Sequence, residues 1–329
     1  MTGVVAALAI GLLLQPFTVR LMTRVGAIDT PNARSSHAVP TPRAGGFAVV
    51  LAALVGLALA PAGGVIALPL IGYAAIGLAD DLRGVRVAAR LAAQYLVGLL
   101  AALVLLLDTG WPAAYLVLGV LGVLGLACWL TAYVNAFNFM DGLNGMAAAH
   151  AIVGGLAFAV AGALRGLPVL AGAGLVIAAA ALSFLPWNAG RARIFLGDVG
   201  SYGLGGALAV LAAYAVLHGV PAEAAIAPLA LYLVDTGSTL LRRIRAGERW
   251  YEAHRTHVYQ RLTDLGWSHS QVAFGTAGMS AVISACGLVS IGGSVAARVA
   301  AGLIVVALLM LYCRAPSRLT HGAATEARA

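Results

Sequence analysis

Two neighbouring acids, Asp80 and Asp81, are the residues whose types and spacing suggest chemistry most directly. Successive residues of an α-helix point about 100° apart, so adjacent carboxylates suit two separate tasks better than one shared site. One could hold a metal ion while the other contacts a nucleophile. Arg90 and Gln94 follow on one helix face and would place a cation behind the acids. The alternative is a solvated pair of loop acids.

A second polar segment repeats every three residues, at Asn135, Asn138, Asp141 and Asn144. Such a row drifts slowly around an α-helix and would be aligned in a 3₁₀ turn. Carboxamides together with a carboxylate provide both donors and acceptors, which recognition of a nucleotide or a sugar requires. The segment therefore predicts a substrate-binding surface. An ordinary polar helix end is the alternative.

A third segment, rich in arginine and glycine, leads to Asp198. Arg191 and Arg193 stand close to this acid, which suits a diphosphate and its accompanying cation. Phe195 could stack on a base, and Gly197 leaves the backbone free at the start of a helix. Because the N-terminus of a helix favours anions, we interpret the segment as a phosphate site. The alternative is a basic loop with a helix cap.

A basic segment later in the chain carries His254, Arg255, His257 and Arg261. If it is helical, the two histidines and Arg261 share a face. Two histidines three residues apart could bind zinc, but no Cys or Glu completes the ligand set. We therefore interpret the segment as an anion-binding surface. A patch that contacts lipid headgroups is the alternative.

Asp235 is a further candidate, because it lies inside an apolar segment. Acids within membrane helices are functional candidates by default, although pairing with Arg242 would make this one structural. The isolated histidines His150 and His269 are interpreted as incidental.

The composition limits which elements can position these side chains. Of the 329 residues, 61% are hydrophobic and 10% are charged. Apolar residues and glycine make up only about 45–50% of an average soluble domain. This excludes a soluble globular enzyme and a disordered chain, and leaves an integral membrane protein. The three cysteines lie inside apolar runs and fit neither a metal spacing nor a disulfide framework.

A helix needs about 20 apolar residues to cross a bilayer. We predict an all-α polytopic membrane protein, with a single transmembrane catalytic domain over residues 1–313 and a disordered cytoplasmic tail over 314–329. The eleven predicted helices lie near residues 3–22, 46–62, 64–79, 89–107, 113–132, 146–164, 168–187, 202–218, 222–240, 271–291 and 295–313.

The distribution of arginine predicts the orientation. An external N-terminus and a cytoplasmic C-terminus put all but Arg165 and Arg298 of the 20 basic residues on or beside one face. The positive-inside rule makes that face cytoplasmic. Most acids map to the same face, which indicates an active site for a charged, water-soluble substrate. The cytoplasmic loops are 23–45, 80–88, 133–145, 188–201 and 241–270.

Together these loops resemble the polyprenyl-phosphate N-acetylhexosamine-1-phosphate transferase family (glycosyltransferase family 4). The family includes the undecaprenyl-phosphate GlcNAc-1-phosphate transferase and the phospho-MurNAc-pentapeptide translocase. The resemblance covers about residues 25–265 and rests on five motifs in the family's order. These are the loop with Asp29, Pro31, Asn32, His37, Gly45 and Gly46; Asp-Asp-x-x-Gly from Asp80; Asn-x-x-Asn-x-x-Asp-Gly-x-x-Gly from Asn135; Phe-x-Gly-Asp-x-Gly-Ser from Phe195; and the loop with His257.

The resemblance implies transfer of N-acetylhexosamine-1-phosphate from a UDP-sugar to undecaprenyl phosphate, with release of UMP and with Mg²⁺ or Mn²⁺ as cofactor. It implies a multi-pass protein of the bacterial inner membrane, a homodimer, and no nucleic-acid partner. Metal binding is implied for Asp198 and Asp81, and catalysis for Asp80, Asp81, Asp198 and His257. The implied substrate-binding residues are Asn135, Asn138, Asp141, Asn144, Phe195, Gly197, Arg193, His254, Arg255, Arg90, Arg34 and His37.

A lipid phosphate has a second pKa near 6, so at pH 7 it is mostly a dianion and already nucleophilic. We therefore favour its direct attack, with Asp80 or Asp81 orienting or deprotonating it. An aspartyl-phosphosugar intermediate is the rival mechanism.

The sequence departs from the family pattern in ways that bear on the substrate. Asn144 stands where the translocase has an acid, and His257 is followed by Val-Tyr-Gln where other members have histidines. The form of this loop resembles the branch that starts O-antigen or other surface polysaccharides. Transfer of phospho-MurNAc-pentapeptide is the alternative within the family. A polytopic transporter is the alternative from another class, although transporters place their polar residues near the midplane.

Overall fold

The computed structural model describes residues 1–31, 39–60, 63–110, 116–249 and 254–326, and these form an all-α membrane protein, as predicted. One small antiparallel pair of strands, β1 and β2, joins Ile28–Asp29 to Thr41–Pro42. The helices are α1 (Thr2–Arg24), α2 (Gly46–Ala58), α3 (Gly64–Arg83), α4 (Val87–Asp108), α5 (Leu116–Met140), α6 (Met146–Arg165), α7 (Pro168–Asn188), α8 (Gly197–Leu217), α9 (Ala222–Ile226), α10 (Ala230–Arg245), α11 (Val258–Asp264), α12 (His269–Leu288) and α13 (Val295–Glu326).

Helices occupy all eleven predicted positions, and within the described residues ten helical stretches are long and apolar enough to cross a membrane. The second, α2, has 13 residues. It is about 20 Å long, which is shorter than the ~30 Å hydrocarbon core of a bilayer. The ninth is divided into α9 and α10 by a 3₁₀ turn at Ala227–Leu229, where Pro228 lacks a backbone donor.

The tail over 314–329, for which we predict disorder, is described as far as residue 326. Helix α13 continues without interruption to Glu326, well beyond its apolar portion. Ala, Leu, Arg and Glu are good helix formers, and they dominate the chain after residue 313. A helix that begins in the membrane is therefore extended by residues that favour the same conformation.

Helix α8 forms the centre of the bundle and is buried continuously from Val199 to Ala215. Glycines let neighbouring helices approach it closely, which is typical of helix contacts in membranes. A Cβ atom at Gly203 would lie 2.9 Å from the Val50 side chain, and one at Gly206 would lie 2.5 Å from the Tyr73 ring. The position of α8 fixes Asp198, its second residue, at one end of the bundle.

A histidine–carboxylate contact and an ion pair mark the opposite end of the bundle. Asp108, the last residue of α4, lies 3.3 Å from the Nε2 atom of His218, which follows α8. Arg298 near the start of α13 lies 2.9 Å from Glu223 in α9. These groups are separated from Asp198 by the length of α8, so they provide control positions remote from the acids.

Candidate active site

Several helix ends meet around a cavity of about 280 Å³. The C-terminal end of α3, the N-terminal end of α8 and the loop after α5 each contribute an acid to its wall. The loop before α2 and the start of α12 complete it. Seven predicted site residues line this cavity: Asp81, Asn138, Asp141, Asn144, Phe195, Gly197 and Asp198.

Asp81 is held against the first turn of α8. Its Oδ2 atom accepts a hydrogen bond of 2.9 Å from the backbone N–H of Val199. The guanidinium of Arg43 donates to the Asp81 backbone carbonyl, and its Nε atom lies 3.9 Å from the carboxylate. Asp81 is only 2% exposed. A buried carboxylate must be hydrogen-bonded or paired, and here both conditions fix its position at the cavity wall.

Asp80 points in a different direction and faces α4. Its carboxylate accepts 2.7 Å and 2.8 Å hydrogen bonds from the Val85 N–H and from Arg90 Nη1. The Tyr202 hydroxyl lies 3.4 Å away. Arg90 therefore stands behind the acids, as its spacing predicted, while Asp80 itself is not among the residues that line the cavity.

Asp198 interacts with the amide segment that ends α5. Asn138 Nδ2 donates to Asp198 Oδ1 at 2.7 Å and to the Ser201 hydroxyl at 2.9 Å. Asn144, three residues beyond Asp141, donates to the Gly190 carbonyl at 2.6 Å. The three-residue repeat thus spans the end of α5 and the following loop, which brings its later members into the cavity wall.

Gly197 is the point of closest backbone approach in the site. Its φ of +72° lies in the left-handed region, which L side chains rarely adopt. A Cβ atom there would lie 2.6 Å from both Asp81 Oδ2 and the Ala44 backbone nitrogen. The preceding backbone is also fixed, because Gly45 and Gly46 N–H groups donate to the carbonyls of Phe195 and Leu196 at 2.9 Å and 2.8 Å.

The acids of the cavity favour a cation. Burial raises the pKa of Asp141 well above its usual range, and the nearby carboxylates of Asp198 and Asp81 act in the same direction. No group of three His, Cys, Asp or Glu side chains within the described residues forms a complete metal site. Mg²⁺ usually needs only one or two carboxylates and completes its shell with water and substrate phosphate. The donor set around Asp198 and Asp81 fits such an ion.

A larger cavity of about 820 Å³ adjoins the first. The two share Asn144, Phe195 and His269. Arg191 and Arg193 line only the larger one, and the Arg193 guanidinium lies 5.5 Å from the centre of the Trp187 ring. An acidic cavity therefore shares part of its wall with a basic one, and an aromatic side chain belongs to that shared wall.

Besides Asp80 and Arg90, four described residues of the predicted site line neither cavity. Asn135 donates to Gln94 at 2.7 Å and to the Thr131 carbonyl at 2.8 Å, so it connects α4 and α5. Arg255 pairs with Asp264 at 3.0 Å. The remaining two are His254 and His257. Arg34 and His37 lie outside the described residues.

The protonation state of His254 bears on the prediction that it binds an anion. Burial, together with the neighbouring His257 and Arg243, lowers the pKa of His254 to about 4. Its ring is therefore neutral at pH 7. His257 is buried, and its Nδ1 atom lies 3.0 Å from Asp235. Arg242, the partner that would have made Asp235 structural, instead donates to Thr239 and to the Thr256 carbonyl.

The site also contains polar residues that the sequence analysis did not assign to it. Asp29 and Arg43 belong to a loop whose motif was noticed, and Asn188 precedes the Asp198 segment. Nothing in the local pattern distinguished His269, which was interpreted as incidental and lines both cavities. The unassigned polar lining residues are Asp29, Arg43, Asn188, Gln260 and His269.

Comparison with known proteins identifies the family. A model of glycosyl transferase family 4 matches residues 64–216. The decaprenyl-phosphate N-acetylglucosaminephosphotransferase of Mycobacterium tuberculosis (strain ATCC 25618 / H37Rv) is 31% identical over 299 residues, which cover 77% of this chain and 72% of the relative. The chain belongs to glycosyl transferase family 4. The match to the family model spans α3 to α8, which carry most of the cavity acids of this transferase.

Two other relatives of this family 4 transferase have different substrates in their names. The probable undecaprenyl-phosphate N-acetylglucosaminyl 1-phosphate transferase of Bacillus subtilis (strain 168) is 26% identical over 275 residues, covering 78% of this chain and 75% of the relative. The phospho-N-acetylmuramoyl-pentapeptide-transferase of Symbiobacterium thermophilum is 32% identical over 318 residues, covering 83% of this chain and 88% of the relative. Together with the helices long enough to cross a membrane, these relatives indicate a multi-pass bacterial membrane enzyme.

Proposed function

We propose that this protein transfers N-acetylhexosamine-1-phosphate from a UDP-sugar to undecaprenyl phosphate and releases UMP. The observation that carries the proposal is that the two cavities are neighbours, with Phe195 and Asn144 in the wall of both. A nucleotide sugar has an aromatic base, a diphosphate and a polar sugar. The basic cavity suits the nucleotide, with Phe195 stacking on the base, and the acidic cavity suits a diphosphate accompanied by a cation.

In this reaction an oxygen of the lipid phosphate attacks the phosphorus that bears the sugar, and the bond to the UMP phosphate breaks. Arg43, which contacts Asp81, would attract the lipid phosphate to the cavity. Asp81 is the acid of the pair that reaches the cavity wall, so it is better placed than Asp80 to contact the incoming phosphate or its cation. Asp80 would hold Arg90 beside them.

Asp198 and Asp81 are the residues that would hold Mg²⁺ or Mn²⁺. A bound divalent cation would reduce the repulsion between two anionic substrates and stabilise the charge that develops on the leaving phosphate. Asn138 would orient the Asp198 carboxylate through its 2.7 Å hydrogen bond. Such a hydrogen bond from a neighbouring amide would set the direction from which the carboxylate approaches the ion.

We assign the site to the cytoplasmic side of the bacterial inner membrane, because the arginine distribution favours that orientation. The product would be undecaprenyl-diphospho-sugar, the lipid-linked start of O-antigen or another surface polysaccharide. Support for this branch comes from the form of the sequence from His254 to Gln260, in which two of the histidines that other members carry are lost.

Release of UMP by the purified protein in detergent tests the proposal. We expect turnover with undecaprenyl phosphate, Mg²⁺ and either UDP-GlcNAc or a 6-deoxy UDP-HexNAc such as UDP-FucNAc. Turnover with UDP-MurNAc-pentapeptide alone would support the translocase reaction. No UMP release from any donor would contradict the enzyme proposal, and donor-independent solute movement in vesicles would then favour a transporter.

Removal of divalent metal provides a prediction about the acids. We expect EDTA to reduce UMP release to background, since the cavity would be left with uncompensated negative charge. Addition of Mg²⁺ or Mn²⁺ in excess over EDTA should restore the rate. Equal rates before and after chelation, with residual metal measured by mass spectrometry, would exclude a metal-dependent reaction.

Phe195→Ala should weaken nucleotide binding with a smaller effect on chemistry. Stacking of a base on an aromatic ring contributes about 1–3 kcal/mol, so we expect KM for the UDP-sugar to rise by roughly five- to a hundredfold. Phe195→Tyr preserves the ring and is the matched control. An unchanged KM in the Ala variant would place the base elsewhere.

Arg90→Gln should lower turnover by about a hundredfold, because it leaves the buried Asp80 carboxylate without its ion-pair partner beside the other acids. Arg90→Lys should recover only part of the loss, since an ammonium lacks the planar fork of a guanidinium. Arg165→Gln removes the same charge at the end of α6 that is remote from the cavity, and is the control. The turnover of all three variants is measured in the UMP assay.

A further inference from the structure

Asp235 is an acid in α10 that the proposed reaction does not use, although it is completely buried. Five donors surround its carboxylate. They are His257 Nδ1 at 3.0 Å, the Val258 N–H at 3.1 Å, the Tyr259 N–H at 3.4 Å, the Tyr312 hydroxyl at 2.7 Å and the Thr239 hydroxyl at 3.3 Å. Three of these donors belong to His257, Val258 and Tyr259, the segment that forms the N-cap and the first two residues of α11.

That segment reaches the wall of the acidic cavity. The Tyr259 hydroxyl donates to the Phe139 carbonyl at 3.0 Å, and Gln260 Nε2 donates to the same hydroxyl at 3.1 Å. Gln260 lines the cavity together with Gly142. A Cβ atom at Gly142 would lie 2.1 Å from the Tyr259 hydroxyl, so the tyrosine is in direct contact with the loop that carries Asp141.

Asp235 also connects this segment to the C-terminal helix. Tyr312 lies in α13 and is only 3% exposed, and its hydroxyl donates to Asp235 Oδ2. One carboxylate therefore joins α10, α13 and the turn from His257 to Tyr259. The contacts continue from that turn to Phe139 and to the cavity wall.

We propose that Asp235 is a positioning residue for the transferase reaction, which holds the His257–Gln260 turn against the cavity wall through His257 Nδ1 and two backbone N–H groups. The proposal rests on the proposed function. In this arrangement His257 acts through its Nδ1–H bond to Asp235 and not through contact with substrate. His257 lines neither cavity, which agrees with a positioning role.

Two substitutions of His257 separate the roles of its ring nitrogens. Asparagine places an amide N–H near the position of Nδ1, whereas glutamine places one near Nε2. We expect His257→Asn to keep kcat within about fivefold of the wild type, since it can still donate to Asp235 and is a good N-cap residue for α11. His257→Gln should lower kcat by about twentyfold or more, with KM for the UDP-sugar changed less than about threefold. The reverse order would overturn the proposal and support a catalytic Nε2.

A second test uses a residue far from the cavity and does not depend on turnover. Tyr312→Phe removes one hydroxyl from Asp235. We expect amide hydrogen exchange of the full-length protein in nanodiscs to quicken about tenfold in peptides covering 254–262, and to quicken also in 138–145. Tyr133→Phe removes a hydroxyl that lies 3.0 Å from His150 Nε2 and is the matched control, for which exchange in both regions should stay unchanged.

The outcomes distinguish this inference from the proposed function. If the wild type releases no UMP, the proposed function fails, while exchange in the Tyr312→Phe protein still tests the link between α13 and the cavity wall. If exchange quickens only within α13, or kcat of monodisperse Tyr312→Phe protein equals that of the Tyr133→Phe control, the positioning role is wrong. Should a His257 variant fail to fold, these two measurements on Tyr312→Phe decide the question.

Discussion

Asp198→Asn is expected to reduce UMP release by about a thousandfold, which corresponds to about 4 kcal/mol of lost transition-state stabilisation. The substitution replaces a carboxylate that is suited to a divalent cation with a neutral amide. The hydrogen bond with Asn138 can persist, because the asparagine Oδ1 atom still accepts it. The loss should therefore appear in catalysis and not in folding.

Thermal stability provides the control for this prediction. Asp198 lies beside Asp81 and Asp141, and the like charges oppose one another. In metal-free buffer the Asn variant should melt at the same temperature as the wild type or higher. Asp108→Asn, at the remote end of α4, should leave turnover unchanged. Normal activity of Asp198→Asn would contradict the assignment of this acid to the metal.

Gly197→Ala should have the second large effect, on both stability and activity. A left-handed conformation costs an L residue about 1–2 kcal/mol. The added Cβ would also lie 2.6 Å from Asp81 Oδ2 and from the Ala44 nitrogen, so the carboxylate or the backbone must move. We expect a lower melting temperature and a fall in turnover of about a hundredfold, because a displacement of about 1 Å at the reacting groups has an effect of that size.

Gly110 offers a matched comparison. Its φ of +68° is close to that of Gly197, but a Cβ atom there would meet nothing within 4 Å. Gly110→Ala should therefore show only the conformational cost, with turnover near that of the wild type. Equal effects of the two substitutions in thermal melts and in the UMP assay would show that close packing around Gly197 is unimportant.

The fold followed from the sequence to the extent that it depends on local composition. A run of apolar residues long enough to cross a bilayer has to form its backbone hydrogen bonds within the run, which makes it a helix. The eleven helices could therefore be located without a structure. The exceptions have local causes as well. Pro228 divides the ninth helix, and helix-forming residues extend α13 to Glu326, where we had predicted disorder.

The candidate site was predictable where its residues lie in dense polar motifs at helix ends. Asp81, Asp141 and Asp198 were found because acids are rare in this chain and these three lie between apolar segments. Asn135 was predicted together with them but lines neither cavity, because the three-residue repeat does not show which of its members bond a neighbouring helix instead. His269 was omitted because a single histidine at the start of a helix has no distinguishing pattern.

By itself the sequence determined that this is a helical membrane protein with its acids and arginines gathered in a few loops, and it indicated the family before any comparison. Only the tertiary structure decided which acid of the Asp80–Asp81 pair reaches the cavity, and that Asp235 takes His257 as its partner in place of Arg242. The physical reason is that hydropathy and helix formation are properties of contiguous residues. Hydrogen-bond partners, in contrast, are chosen by how separate helices pack.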